Sequence, residues 1–410
     1  MTLAPARPTG PLPPVAPGRP RVTTTTVHRG SVGEAGSMYT RLLATDPDGP
    51  NAGALLLTWE LRLGVARPGG PAFPVRRSDD GGRTWREVAR VVDPLGRGNR
   101  YQPVLYELPG DLAHLRAGDL LLAGNAIPAD GSTTTLVLHS SRDGGATWRF
   151  EAVVDEGGPA TYDPSRASTT TSVWEPDLLL LDGVLHVLYA DEREKARGML
   201  QTISRRRTED LRTWTPRETV VGVPNRWTRP GMFVATGPLP DGTYRAVVEV
   251  VGPHEVPIHL RTSVDGVDWG DPADLGPQLV AVDGVSLSGT PNLAWCPDGR
   301  GGATLVATAR HSWADGREAN HALVSDDGGA TWRSMELPVA AVRRVHGDSS
   351  GYSQSVRWNA AGELVQATTV RNAVGSHDVV VAVVEGDWRA LVAPDPGAGT
   401  MRPGAGALEG

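Results

Sequence analysis

Apolar residues along this chain come in short runs that alternate roughly with polar ones. Thr133–Ser140, Arg86–Val92 and Arg149–Val154 read this way, and His321–Val324 is a shorter run of the same kind. Alternation with period two predicts half-buried β-strands. Between such runs stands one recurring turn, S-x-D-x-G-x-T-W. It is written in full as Ser78–Trp85, Ser141–Trp148 and Ser325–Trp332. Shorter copies occur at Thr208–Trp214 and Ser263–Trp269, and a vestige at Gly386–Trp388. Asp-Gly and Gly-Gly supply the positive φ that a tight hairpin requires, while Ser and Asp can hydrogen-bond the local backbone. The Trp is expected to pack the turn onto its own sheet. Each copy therefore joins two antiparallel strands.

The repeat sets the architecture. Its tryptophans, Trp85, Trp148, Trp214, Trp269, Trp332 and Trp388, recur at intervals of 55 to 66 residues. Periods of this order mark stacked or radially arranged units. About 60 residues hold four strands and their loops, which is one propeller blade. The turns resemble the Asp boxes of sialidase-type β-propellers. That resemblance implies an all-β, six-bladed β-propeller in which the boxes are structural staples on the rim away from the active face. Asp80, Trp85, Asp143, Trp148, Asp327 and Trp332 are assigned to that role. The expected ring closure pairs Val22–Val27 with the last blade near Val379–Val384.

The predicted domain spans residues 22–393. It is preceded by a flexible, Pro-rich arm (1–21) and followed by a disordered Gly/Ala/Pro tail (394–410). Met1–Arg21 has no apolar segment of the kind a signal peptide carries. The 410 residues carry a formal net charge of −7, which argues against nucleic acid or an anionic membrane as partner. No apolar run approaches a membrane span. The single cysteine, Cys296, excludes an internal disulfide and is expected to be a buried, inert thiol. Lys195 is the only lysine among 40 basic residues. None of the ten histidines has a zinc-type spacing, so no metal and no cofactor are expected. A monomer is expected.

Function has to be sought in a site grafted on this scaffold. Two carboxylates interrupt apolar strands away from the boxes: Glu175 in Thr171–Leu181 and Glu249 in Tyr244–Val251. A carboxylate in such a context is costly unless it is paired or used. They lie 74 residues apart, near one repeat, which places them alike in neighbouring blades. Two facing carboxyl groups are what glycoside hydrolysis needs. Strand-end ion pairs with arginine are the alternative reading.

Longer segments sharpen the choice. Trp174-Glu175-Pro176 followed by Leu185–Arg193 resembles the W-E-P…Y-Y-S-D-x-R segment of glycoside hydrolase family 93, the exo-1,5-α-L-arabinanases. Tyr101–Pro109, Leu121–Pro128 and Arg229–Met232 with Leu239–Tyr244 and Glu249 match the same family in the same order. The resemblance implies that Glu175 and Glu249 are the catalytic pair. It also implies retention through a glycosyl-enzyme intermediate, with the carboxyl groups about 5–5.5 Å apart. Which is the nucleophile stays open. The preferred assignment makes Glu175 the acid/base and Glu249 the nucleophile. The expected product is arabinobiose from linear α-1,5-L-arabinan, so the expected partner is an oligo- or polysaccharide. Members of the family are usually secreted. Val248 stands where the family commonly has tyrosine, and Tyr189-Ala190-Asp191 replaces its paired tyrosines and serine, departures that bear on sugar specificity.

Arg41, Asn125, Asp191, Arg193, Arg229 and Tyr352 lie in matched segments as candidates for binding sugar hydroxyls. Trp174, Trp227 and Trp295 are expected either to stack on sugar or to pack between blades. Two other readings compete. A sialidase would use Tyr352 as nucleophile with Glu249, and Arg41, Arg229 and Arg310 as a carboxylate clamp. A non-catalytic propeller would only bind glycan or protein.

Overall fold

The computed structural model describes residues 19–32, 34–63, 70–161, 164–225, 227–252, 255–341 and 348–394. Most of the expected N-terminal arm and nearly all of the expected tail lie outside these residues. Among the described residues the strands form six antiparallel blades and one small extra sheet.

Blade 1 comprises Glu34–Ala44, Leu55–Leu63, Ala72–Ser78 and Arg86–Val92, and blade 2 Asn99–Glu107, Leu120–Ala126, Thr134–Ser141 and Arg149–Gly157. Blade 3 comprises Val173–Leu181, Val184–Asp191, Thr202–Thr208 and Glu218–Val221. Blade 4 has three strands, Arg229–Thr236, Tyr244–Val251 and Ile258–Ser263; where a fourth would run there is a single bridge, His259 to Gln278. Blade 5 comprises Asn292–Pro297, Ala303–Thr308, His321–Ser325 and Arg333–Glu336. A sheet of Ser286–Ser288, His311–Ala314 and Arg317–Ala319 is inserted beside it. Blade 6 is composite: Ser355–Trp358, Leu364–Arg371 and His377–Glu385 receive Arg21–His28 as their outermost strand, with Val22 opposite Val384. The N-terminal strand thus closes the ring.

Burial between blades holds the ring together. At the seam of blades 6 and 1, Leu55, Leu57 and Trp59 pack on Val379, Val381 and Val383. Each such side chain contributes about 1.5–3 kcal/mol on leaving water.

The Asp boxes have the expected local geometry. In blade 2, Thr147 donates its N–H to Asp143 Oδ1 (2.9 Å) and its hydroxyl to Oδ2 (2.6 Å). The Ser141 hydroxyl accepts from Gly145 N–H, and the Trp148 indole donates to Gly145 O, both at 2.9 Å. The boxes also reach further than their own sheet. Asn359 of blade 6 donates to Gly81 O (3.0 Å), Arg77 of blade 1 to Gly144 O (3.1 Å) and Arg245 of blade 4 to Gly328 O (2.7 Å). Each of these boxes is therefore tied to the preceding blade. The Gly386–Trp388 vestige is not a hairpin: Asp387 caps a short 3-10 turn, Trp388–Leu391, and buried Trp388 packs on Trp358. Among the described residues no strand follows it to complete a hairpin.

Candidate active site

At one mouth of the ring each blade carries the same irregularity. Six non-glycine residues, one per blade, have left-handed backbone: Tyr39 (φ 58°), Gln102 (58°), Glu175 (60°), Met232 (49°), Thr290 (45°) and Ser353 (56°). In blades 1 to 4 they sit where the register of the innermost strand slips, between Met38 and Arg41, Tyr101 and Val104, Trp174 and Asp177, and Gly231 and Val234. In blades 5 and 6 they lie just before the innermost strand. Such bulges re-aim side chains, and here they bring those of Gln102 and Glu175 to the mouth of the ring.

Left-handed geometry costs an L-residue about 1–2 kcal/mol, and a circle of hydrogen bonds offsets it. Every one of the six donates its backbone N–H to the preceding blade. Gln102 donates to Glu60 Oε2 (3.1 Å), Glu175 to Gln102 Oε1 (3.0 Å) and Met232 to Glu175 Oε2 (2.9 Å). Thr290 donates to Glu249 Oε2 (2.6 Å), Ser353 to Thr290 Oγ1 (2.9 Å) and Tyr39 to Tyr352 O (3.2 Å). The two predicted catalytic glutamates are two links of this closed ring.

Above the ring lies a cavity of about 200 Å³ lined by Gln102, Trp174, Glu175, Glu192, Gln201, Arg229, Glu249 and Tyr352, among others. Glu175 and Glu249 converge over Gly231. A Cβ at Gly231 would lie 3.3 Å from Glu175 Oε2 and 3.4 Å from Glu249 Oε1. These two oxygens are consequently within about 7 Å of each other.

The electrostatics separate the two carboxyl groups. Burial raises the pKa of Glu175, and the negative charge of Glu249 raises it further, against the Met232 N–H, Arg229 and Arg41. Burial also raises Glu249, but the Thr290 N–H, Arg229 and Arg310 favour its charged form. The negative charge of Glu249 opposes ionisation of Glu175 and so favours its protonated form. Arg229 forms the polar wall beside them, donating to Glu192 Oε1 (2.7 Å) and Gln201 Oε1 (2.9 Å). Glu192, which lines the pocket, has its Oε2 buried without a hydrogen-bond partner among the described residues. No group of three His, Cys, Asp or Glu side chains among the described residues is arranged to hold a metal.

Of the predicted residues, the pocket collects Glu175, Glu249, Arg229, Trp174 and Tyr352. Trp227 is 68% exposed on the loop leading to Arg229. Arg41 lies below the ring, where it donates to Ser353 Oγ and stacks 4.5 Å from the Tyr39 ring. With Trp295 it lines a separate cavity of about 320 Å³ in the central channel. Asn125, Asp191 and Arg193 do not line the pocket. The fully buried Asn125 amide is used up between Val173 O (2.7 Å) and Thr135 N–H (2.9 Å). Arg193 bridges Asp191 (2.8 Å) to Asp155 (2.5 Å), joining blades 3 and 2. Cys296 is half-buried rather than fully buried, and burial pushes its thiol up to about 12.

The sialidase clamp is not assembled. Only Arg229 of its three arginines lines the pocket; Arg310 donates to Asp348 O (2.5 Å) and lies under the Tyr352 ring. Burial, together with Glu175, Glu249 and Glu60, raises the Tyr352 phenol far above its usual range. A phenol so surrounded by carboxylates keeps its proton.

Known structures decide the family. An α-L-arabinanase of Penicillium chrysogenum, solved with arabinobiose, is 30% identical over 91% of this chain and 98% of that one, with a TM-score of 0.73. The chain belongs to glycoside hydrolase family 93. The family 93 α-L-arabinofuranosidase of Fusarium graminearum, also solved with arabinobiose, is 27% identical over 88% of this chain and 97% of that one, with a TM-score of 0.74. The NanB sialidase of Streptococcus pneumoniae, 10% identical over 88% of this chain and 70% of that one (TM-score 0.52), shares the fold alone. No protein-family model and no curated protein matches the sequence. This family 93 member is accordingly a glycosidase.

Sequence reasoning passed over five residues of the site. Gln102, Glu192 and Gly231 lie inside the matched segments without being singled out, and Gln201 carries no local signal. Glu60 meets the criterion that found the catalytic pair, a carboxylate in the apolar run Leu55–Leu61. Gly231 is required for space rather than backbone freedom, since its Cβ would also stand 2.8 Å from Gln201 Nε2. Gly231→Ala should lower kcat/KM about 100-fold by displacing both carboxyl groups. A change in melting temperature of only a few degrees should accompany it, read by steady-state kinetics beside a thermal melt.

Proposed function

We propose that this protein is a retaining, exo-acting arabinanase that releases arabinobiose from linear α-1,5-L-arabinan or its oligosaccharides. The observation that carries the reading is the convergence of Glu175 and Glu249 over Gly231 in a floored pocket. Glu249 attacks the anomeric carbon. The glycosidic C–O bond breaks, and its oxygen takes the proton of Glu175 as the shortened chain leaves. Glu175, now a carboxylate, removes a proton from water, whose oxygen attacks the same carbon and frees Glu249. Two inversions give net retention.

The exo mode is the one the family resemblance implies, and a pocket closed beneath the carboxyl groups is in keeping with it. Met38, Tyr39 and Met232 form a buried cluster on which Tyr352 packs, and the ring of hydrogen bonds closes the mouth beneath the carboxyl groups. A chain end enters such a pocket; a chain middle needs an open cleft. The disaccharide product is supported by the two family relatives solved with arabinobiose. Exposed Trp227 lies on the side from which the rest of a polymer would approach.

The test is product analysis on linear 1,5-arabinan beside a fluorogenic sialoside. Arabinobiose as the main early product, with the α configuration in freshly formed product by NMR, is the expected result. Arabinose alone or mixed long oligosaccharides would overturn the disaccharide-releasing exo mode. An initial β product would overturn retention, and release of sialic acid with arabinan untouched would overturn the substrate.

A further inference from the structure

Two links of the hydrogen-bonded ring, Glu60 and Gln102, take no part in the reaction steps above. We propose that they are positioning residues which hold Glu175 at its reacting angle, a role that rests on the reading of Glu175 as acid/base.

Glu60 is a buried carboxylate, 2% exposed, on the second strand of blade 1. It pairs with Met38, the residue before the kink, just as Glu249 pairs with Gly231 in blade 4. It occupies in blade 1 the position that the nucleophile occupies in blade 4. Instead of opening on the cavity, its carboxylate accepts the Gln102 N–H at 3.1 Å. Gln102 is itself left-handed, so this bond holds a strained backbone in place. The Gln102 side-chain carbonyl then accepts the Glu175 N–H at 3.0 Å.

Glu175 is left-handed too, and that conformation aims its carboxyl at the pocket and at the Met232 N–H. Without an acceptor for its own N–H, Glu175 loses the bond that compensates its strain and relaxes toward extended backbone. Its Cα–Cβ direction then swings away from the leaving oxygen. A displacement of about 1 Å in a reacting group costs about 100-fold in rate. The relay thus runs from blade 1 through blade 2 to blade 3, and it acts on the proton donor, while Glu249 is held separately by Thr290 of blade 5.

That separation makes the role measurable. Proton donation matters for a sugar leaving group and little for dinitrophenolate, so a misplaced acid is seen with the first substrate only. Gln102→Met and Glu60→Leu would be compared with the wild type on an arabino-oligosaccharide and on the 2,4-dinitrophenyl glycoside of the same donor, each variant checked by thermal melt. In kcat/KM, which reports formation of the glycosyl-enzyme alone, both should lose about 10–100-fold on the oligosaccharide and several-fold less on the activated glycoside. Glu60→Gln keeps a carbonyl acceptor and should recover most of the loss. Equal losses on both substrates, or no loss on the oligosaccharide, would overturn the relay. So would Glu60→Gln behaving like Glu60→Leu, which also decides the matter if Gln102→Met fails to fold. Glu175→Gln belongs in the same assay. If it shows no preference for the activated glycoside, the acid/base assignment is what has failed, and the relay falls with it.

Discussion

Glu249→Gln should abolish turnover of every glycoside, however good the leaving group, with a loss of about 10⁴-fold or more in kcat. The amide keeps the shape of the side chain and an oxygen for the Thr290 N–H, so the pocket survives while the nucleophile does not. An activated leaving group cannot restore what is missing, because departure was never the difficulty. Azide can in the shortened variant Glu249→Ala, where loss of the carboxyl group leaves space for it near Gly231. Kinetics on the dinitrophenyl glycoside with added azide, followed by NMR of the glycosyl azide, provide the measurement. The expected product has inverted configuration, since one displacement replaces two. Retained configuration would mean that Glu249 is the acid/base and that the two roles must be exchanged.

Glu175→Gln should behave in the opposite way. On an oligosaccharide it loses about 10²–10⁴-fold, the contribution of a positioned proton donor. On the dinitrophenyl glycoside formation of the glycosyl-enzyme proceeds, and azide releases a product of retained configuration. The pH profile gives an independent check. Glu175 must be protonated to act, and burial plus the charge of Glu249 raise its pKa. Wild-type kcat/KM should therefore fall as pH rises through that raised value, and this basic limb should vanish in the variant assayed on the activated substrate. Stability carries the same signature. Between the ordinary carboxyl pKa and the raised folded value the folded chain holds a proton that the unfolded chain releases, so wild-type stability declines with rising pH across that window. The amide has no such proton. The variant should gain in melting temperature relative to wild type as pH rises, and the gain should level off above the folded pKa. A melting difference that does not change with pH would contradict the raised pKa.

The fold was open to reading because its determinants are local. Asp143, Gly144, Gly145 and Trp148 form their turn from residues within a few positions of one another, and five such turns are enough to count blades. The vestige at Trp388 kept the period but not the hairpin, because the chain passes from the last strand into a 3-10 turn. The small sheet beside blade 5 was not foreseen; its strands are three or four residues long and carry no box. The two glutamates that meet in the pocket were legible as carboxylates placed against the grain of apolar strands. Glu60 carries the same signal. The kinks carry none: Tyr39, Gln102, Glu175, Met232, Thr290 and Ser353 share no residue type, and left-handed backbone is ordinarily signalled by glycine. Their hydrogen bonds join neighbouring blades, so no local window contains both partners. Asn125, Asp191 and Arg193 misled for a related reason. Each lies in a family-matched segment, but that match cannot distinguish a polar side chain that meets sugar from one that ties two blades.

The Asp boxes and the pocket occupy opposite faces of the ring, and this gives the molecule a working end and a handling end. Turns at Asp182-Gly183, Asp241-Gly242 and Ala361-Gly362 join the first and second strands of their blades on the box face, and their glycines have open space around them. Loop tips of this kind accept inserted sequence. A binding module, an affinity tag or a surface anchor grafted there would leave the carboxyl pair facing outward. The enzyme could then be fixed on a bead or built into a larger assembly with every active site presented to the polymer.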